Sequence, residues 1–169
     1  IQVKTPPTEE AATSLRAGDV VSITGYVYTA RDAAHKRLAE LVEAGQQLPM
    51  RVRDQVIYYV GPAPPKPGHI CGPAGPTTSG RMDPYTPILL DRGLRGMIGK
   101  GPRSRKVIES MKKNRAVYFA AVGGAAALIA RSIRESKIVA YDDLGAEAIH
   151  RFSVEGFPAI VAIDSQGNN

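Results

Sequence analysis

HICGPAGPTTSGRMDPYTPILLDRGLRGMIGKG, residues 69–101, is the stretch of this 169-residue chain that follows neither a helical nor a strand period. Its glycines, prolines, adjacent threonines and arginine mark a binding loop rather than a core element. Gly72-Pro73-Ala74-Gly75-Pro76 must turn, because proline has no amide donor and glycine favours backbone angles that other residues avoid. The turn delivers Thr77, Thr78, Ser79 and Arg81 together. Three hydroxyls and a guanidinium suit an anion with a flat pair of oxygens, a carboxylate or a phosphate. Asp83-Pro84 reads as an N-cap and first helical position, so the loop is expected to end on a helix N-terminus, where the dipole also favours negative charge. A short helix around residues 88–90 follows and stops at Gly93. A short strand at Met97-Ile98 then closes with Gly99-Lys100-Gly101. A lysine between glycines can approach a ligand closely, but the GxxxxGK[ST] spacing of a nucleotide-phosphate loop is absent.

Upstream, residues 20–28 alternate, with Val21, Ile23 and Val27 on one face of a strand. Thr29-Ala30-Arg31-Asp32 reads as a capping box that opens a helix. Ala30, Ala34, Leu38, Leu41 and Val42 share one face of that helix, and Gly45 stops it. Arg31 therefore falls at a helix N-terminus, where a cation is mildly unfavourable. A residue placed against local preference points to function. Asp32 is the cap and orients Arg31, and His35, one turn on, either reaches the same pocket or packs behind it. Residues 56–60, VIYYV, read as a buried strand, and residues 61–68, with four prolines, as a rigid connector. Residues 1–14 show no period and read as an N-terminal arm, leaving 15–169 as one domain.

Downstream, residues 104–114 are helical, and 116–122 form a strand that runs into Gly123-Gly124 and a helix over 125–133. That glycine pair either lets the helix pack close to the sheet or turns amides towards a ligand. Residues 138–140 and 159–163 are further strands, and 164–168 a turn. Strands and helices intermix without a strict repeat, which gives an α/β class: a single compact domain, a mixed sheet with flanking helices.

Composition narrows the partners. At 43% hydrophobic the chain reads as globular. Its longest weakly polar run, residues 116–130, falls short of the roughly 20 needed to cross a bilayer. No cationic segment followed by an apolar one opens the chain at Ile1, so no membrane partner and a cytoplasmic location are expected. A net charge of +6 raises nucleic acid as a partner. Yet Arg103, Arg105, Lys106, Lys112, Lys113 and Arg115 read as a solvated face, and no aromatic residues interleave with them, so no nucleic-acid partner is expected. The single cysteine, Cys71, excludes an internal disulfide and any metal cluster held by this chain's cysteines alone. His69 and Cys71 are too few for a zinc site. His150 reads as structural and Asp142-Asp143 as an exposed turn.

Three motifs in order, YTARDAAHKR at 28–37, GPTTSGRMD at 75–83 and MIGKG at 97–101, resemble the beta subunit, or carboxyl-terminal domain, of class I fumarases and the related tartrate dehydratases. The likeness runs at lower density from residue 15 to 169. It implies the swivelling β/β/α fold and a hydro-lyase of the tricarboxylic acid cycle that reversibly hydrates fumarate to (S)-malate. The alternatives are a tartrate dehydratase beta subunit and a non-catalytic dicarboxylate-binding module. By the resemblance, Arg31 and Arg81 bind substrate carboxylates with Thr78 beside them, Lys100 is an active-site lysine and Thr77 takes part in proton transfer. Asp32 and His35 stand behind this set. The resemblance also implies a 4Fe-4S cluster bound by a partner alpha subunit rather than by this chain, and hence a hetero-oligomer. The reaction's needs agree: a dianion calls for cations, a weakly acidic C–H for a base and stabilised charge, and a hydroxide leaving group for a Lewis acid. These residues supply the cations and lack the Lewis acid.

Overall fold

Alternation along the strands sets the architecture. Val56, Tyr58 and Val60 join one hydrophobic cluster while Ile57 and Tyr59 join another, because successive side chains of a strand leave by opposite faces. β3 (Val56–Tyr58) is thus covered on both sides. It pairs in parallel with β2 (Val20–Thr29) and with β4 (Gly96–Gly99), and β4 pairs in parallel with β5 (Val117–Ala121). The long β7 (Ile149–Ile163) runs antiparallel to both β2 and β5, so the five strands close into a ring. β1 (Gln2–Thr5) extends the edge of β2 in parallel, and β6 (Ile133–Ala140) pairs antiparallel with the first half of β7. In this computed structural model the described residues are 1–62, 65–70, 75–122 and 126–169. Cys71, residues 72–74 of the expected turn and Gly123-Gly124 lie outside them.

Ile23, Val27, Ile98, Phe119, Phe152 and Phe157 fill the ring. α1 (Glu9–Ser14) and α5 (Ala126–Ser132) add Ala12 and Ile129 to the same cluster. α2 (Asp32–Glu43), α3 (Thr86–Asp91) and α4 (Arg105–Asn114) connect the parallel strands. They bury Leu38, Leu90 and Met111 in the second cluster, on the outer face of the sheet. The mixed sheet with flanking helices follows the sequence reading.

Several local readings change. Residues 1–14 carry β1 and α1, and Val3 and Ala12 are buried; a four-residue strand is too short to show a period. β7 runs through Gly156-Phe157-Pro158, whereas the sequence reading begins a strand only after the proline, at Ala159. A register shift between Ile23 and Gly25 of β2 accommodates that segment. The capping box does not form. Thr29 ends β2, fully buried, and its hydroxyl accepts from the His150 amide at 3.0 Å. The N-cap of α2 is Arg31, with no side-chain bond, and the Ala33 amide is taken instead by the Glu147 carboxylate at 3.2 Å. Glu147 comes from a 3-10 helix, Asp142–Glu147. Asp83 likewise does not cap the helix that follows it. Residues Ser79–Met82 form a 3-10 helix and α3 begins at Thr86, while Asp83 turns to Arg103 and to the amide of Ser104, both at 2.8 Å. Arg103 is not part of a solvated face: its side chain is wholly buried.

Candidate active site

The parallel strands β2 to β5 present their C-terminal ends on one side of the sheet, where ligands of α/β sheets bind. β2 leads there to Arg31 and Asp32, β3 leads through Tyr59 to Gly61, and β4 leads to Lys100. The loop that opens at Gly75 returns across these ends. The Thr77 amide donates to the Tyr59 carbonyl at 2.7 Å, the Ser79 amide to the Lys100 carbonyl at 2.8 Å, and Thr78 forms an isolated parallel bridge with Lys100. The segment therefore wedges in as a short added strand. Gly99 makes this approach possible: a Cβ there would collide with the Ser79 hydroxyl and lie 2.8 Å from Tyr59 Cδ2.

Of the three hydroxyls expected to face an anion, Ser79 turns inward. It is fully buried and hydrogen-bonded to the Tyr118 hydroxyl at 2.7 Å. Thr77 is half-buried, and Thr78 and Lys100 are exposed, so these remain on the open side.

Asp32 joins the two arginines. The Arg81 Nε donates to Asp32 Oδ2 at 3.0 Å, and the Arg31 Nε lies 3.8 Å from Oδ1. Arg31 and Asp32 are more sheltered than Arg81. Among the described residues no hydrogen bond uses the terminal amino groups of either guanidinium, so each keeps the end-on pair of donors that a carboxylate accepts. The shaft of Arg31 passes Gly61, where an added Cβ would sit 3.0 Å from its Cδ. Asp32 also lies in the first turn of α2, where negative charge is favourable and offsets that of Arg31.

His35 is packed behind this pair. It is 1% exposed, and both its amide and its Nδ1 donate to the Arg31 carbonyl, at 2.9 and 2.8 Å. Nε2 is buried beside the Tyr59 and Tyr85 rings and has no hydrogen-bond partner among the described residues. Burial, aided by the nearby Arg103 charge, pushes its pKa down to about 4. The imidazole is neutral near pH 7, and it fixes the backbone from which Arg31 extends.

Beneath the loop lies a network that sequence reasoning missed. The Arg103 guanidinium meets Asp83, Tyr59 and Thr86 and stacks between the Tyr59 and Tyr118 rings. Burial opposes its charge, but Tyr59 and Asp83 outweigh that and hold its pKa above the ordinary arginine value. The available signal was Ser104, which caps α4 by accepting from the Val107 amide. Arg103 therefore precedes the helix and does not share its solvent face. Glu147, at the head of α2, carries no comparable signal.

Among the described residues no group of three or more His, Cys, Asp or Glu could hold a metal ion, and no helix is long and apolar enough to cross a membrane. His150 bonds the Ala148 carbonyl, and partial burial lowers its pKa. Asp143 is exposed and pairs with Arg37 at 2.6 Å.

The family model described as Fumarase C-terminus matches residues 1–169. The chain is 43% identical over 151 residues to the anaerobic class I fumarate hydratase of Escherichia coli K12, covering 88% of this chain and 28% of that protein. It is 40% identical to the mitochondrial fumarate hydratase 1 of Leishmania major, with the same coverage of each chain. It is also 36% identical over 168 residues to a putative L(+)-tartrate dehydratase subunit beta of Methanocaldococcus jannaschii, covering 96% of this chain and 86% of that one. The chain thus spans between a quarter and a third of the fumarate hydratases it matches and most of the tartrate dehydratase subunit.

Proposed function

The chain belongs to the fumarase C-terminus family, and on that premise we propose that it supplies the dicarboxylate-binding part of a hydro-lyase active site, for the reversible hydration of fumarate to (S)-malate. The observation that carries this reading is the Asp32 carboxylate, which accepts from the Arg81 Nε at 3.0 Å and faces the Arg31 Nε at 3.8 Å. Both outward ends are left for the two carboxylates of a dianion. An exposed pair of this kind contributes little to stability; its value lies in aim.

Arg31 and Arg81 bind the substrate carboxylates, with the exposed Thr78 beside them. Lys100, at the end of β4, stabilises negative charge that develops when the carbon next to a carboxylate loses its proton. Thr77 takes part in that proton's movement. A neutral alcohol is a poor base, so this role requires a neighbour that eases its deprotonation. Asp32 orients both arginines, and His35 holds the turn that carries Arg31.

The iron-sulfur cluster implied by the family does not fit the donors of this chain. Cysteine thiolates hold such clusters, and this chain has one cysteine. The reading therefore assigns the cluster to a partner region, either a separate alpha subunit or the remainder of a longer polypeptide. The short coverage of the fumarate hydratases supports the second arrangement, and the near-complete coverage of a subunit beta the first. A cytoplasmic hetero-oligomer is part of the same proposal. The Methanocaldococcus relative also favours tartrate as a second reading of the substrate.

The test is anaerobic fumarate hydration by this chain alone and by this chain with its cluster-bearing partner region, iron-reconstituted in both. Activity is expected only in the pair, and Arg81→Ala in the pair should lower kcat/KM by about 10²-fold or more, as loss of a charge-stabilising donor does. Wild-type kinetics in that variant would remove Arg81 from the site. Activity on tartrate alone would change the substrate, and a chain that binds dicarboxylate without any activity in the pair would be a binding module.

A further inference from the structure

We propose that Arg103 is a positioning residue: it locks the Thr77–Asp83 loop to the end of β4, and so sets Thr77, Arg81 and Lys100 in one geometry. The inference rests on the functional reading above for its kinetic consequence, but not for its structural one.

The guanidinium reaches every part that has to be held. Nε donates to Asp83 Oδ1 at 2.8 Å, at the far end of the loop. Nη1 donates to the Tyr59 hydroxyl at 3.1 Å and approaches the Met97 sulfur at 3.7 Å. Tyr59 is also the residue whose carbonyl accepts the Thr77 amide. Nη2 donates to Thr86 Oγ1 at 2.9 Å, at the start of α3. The cation lies about equally far from the Tyr59 and Tyr118 rings, at 5.1 and 5.0 Å. Tyr118 carries the hold further, since its hydroxyl donates to the Gly101 carbonyl at 2.8 Å and also bonds Ser79. One buried cation thereby ties both ends of the loop and both flanks of Lys100.

Stability alone does not account for this arrangement. Desolvating a guanidinium is expensive, and a buried ion pair is often no more stable than apolar residues of the same volume. What it supplies is a single geometry, because a planar fork satisfied at each nitrogen admits only one set of partner positions. Each of its nitrogens has a protein partner and the side chain is wholly buried, so Arg103 acts through the loop and does not touch substrate.

Arg103→Lys and Asp83→Asn, made in the protein with its cluster-bearing partner region, test this in two independent ways. Lysine keeps the charge and can keep Asp83, but it cannot hold Tyr59 and Thr86 as well. Hydrogen exchange of the Thr77 and Ser79 amides is expected to speed up by at least 10-fold in both variants, while the amides of β2 and β7 keep their wild-type rates. In the hydration assay kcat should fall by about 10- to 100-fold, the range that a small misplacement produces. On a Thr77→Ala background, Arg103→Lys should reduce kcat by a smaller factor than it does on the wild-type background, because one of the three groups it positions has gone. Faster exchange without any hydratase activity in the wild type would overturn the functional reading and leave the positioning role standing. Unchanged exchange at Thr77 and Ser79, or undiminished losses in the double variant, would overturn the positioning role itself.

Discussion

Arg31 and Arg81 are fifty residues apart in sequence, and a single carboxylate, that of Asp32, brings them to one place. The arginines and Lys100 stand out in the sequence as candidates because each breaks a local rule: a cation at a helix start, a guanidinium in a glycine-rich turn, a lysine between glycines. Ser79 and Arg103 were not, since their partners Tyr118 and Tyr59 lie far along the chain and no local pattern points to them. His35 stood between two readings, and burial decides it. Unfolded, its imidazole takes a proton below about pH 6.5; folded, it refuses one until about pH 4. Between those values the unfolded chain binds more protons, so stability falls as pH falls through that window, by a few kcal/mol in the limit. His150 adds to the same trend, since its pKa is lowered too. His35→Leu should therefore show a flatter acid limb than the wild type when urea midpoints are measured from pH 7 to pH 4. Parallel limbs would mean that His35 takes up its proton alike in the folded and unfolded chain across that window.

The short central strands β3, β4 and β5 were legible as elements because they are largely buried on both faces and read as apolar runs. β7 was legible only in its last third: Gly156 and Pro158 are breakers by composition, and only its pairing with β2 shows that the strand continues. The helix starts were misread for a related reason. Thr29 and Asp83 carry N-capping side chains, but tertiary partners, the His150 amide and Arg103, take them first. The loop that wedges against β4 depends on the missing side chain of Gly99. Gly99→Ala should destabilise the protein by about 1–3 kcal/mol, as overpacking does, since the new methyl meets the Ser79 hydroxyl and the Tyr59 ring. Ser79→Ala alone loses the bond to Tyr118, worth about 1 kcal/mol. The double variant should nevertheless melt above Gly99→Ala, because removing the hydroxyl relieves the closer of the two collisions. A double variant that melts at the additive value would show that the loop, not the hydroxyl, absorbs the strain.

At the scale of the molecule, two hydrophobic clusters share one sheet. Val56 and Tyr58 serve the ring while Ile57 and Tyr59 serve the helical layer, and β5 divides likewise, with Val117 and Phe119 inward and Tyr118 outward. Both clusters are built on β2 to β5 and β7, so the loss of one layer removes the support of the other. Leu38→Ala, in the helical layer, and Phe157→Ala, inside the ring, remove side chains that are fully buried on opposite sides of the sheet. Truncations of this kind cost about 2–5 kcal/mol for leucine and about 3–5 for phenylalanine. Because the strands are common to both layers, each variant should unfold in urea in a single transition, with the wild-type slope and a lower midpoint. Fluorescence of the tyrosines and far-UV circular dichroism should report the same midpoint. Two separated transitions in either variant, or midpoints that differ between the probes, would mean that the ring stands without its helices. The ends of β2 and β4 would then be free to shift independently, and the site that they carry would not be held by the fold as a whole.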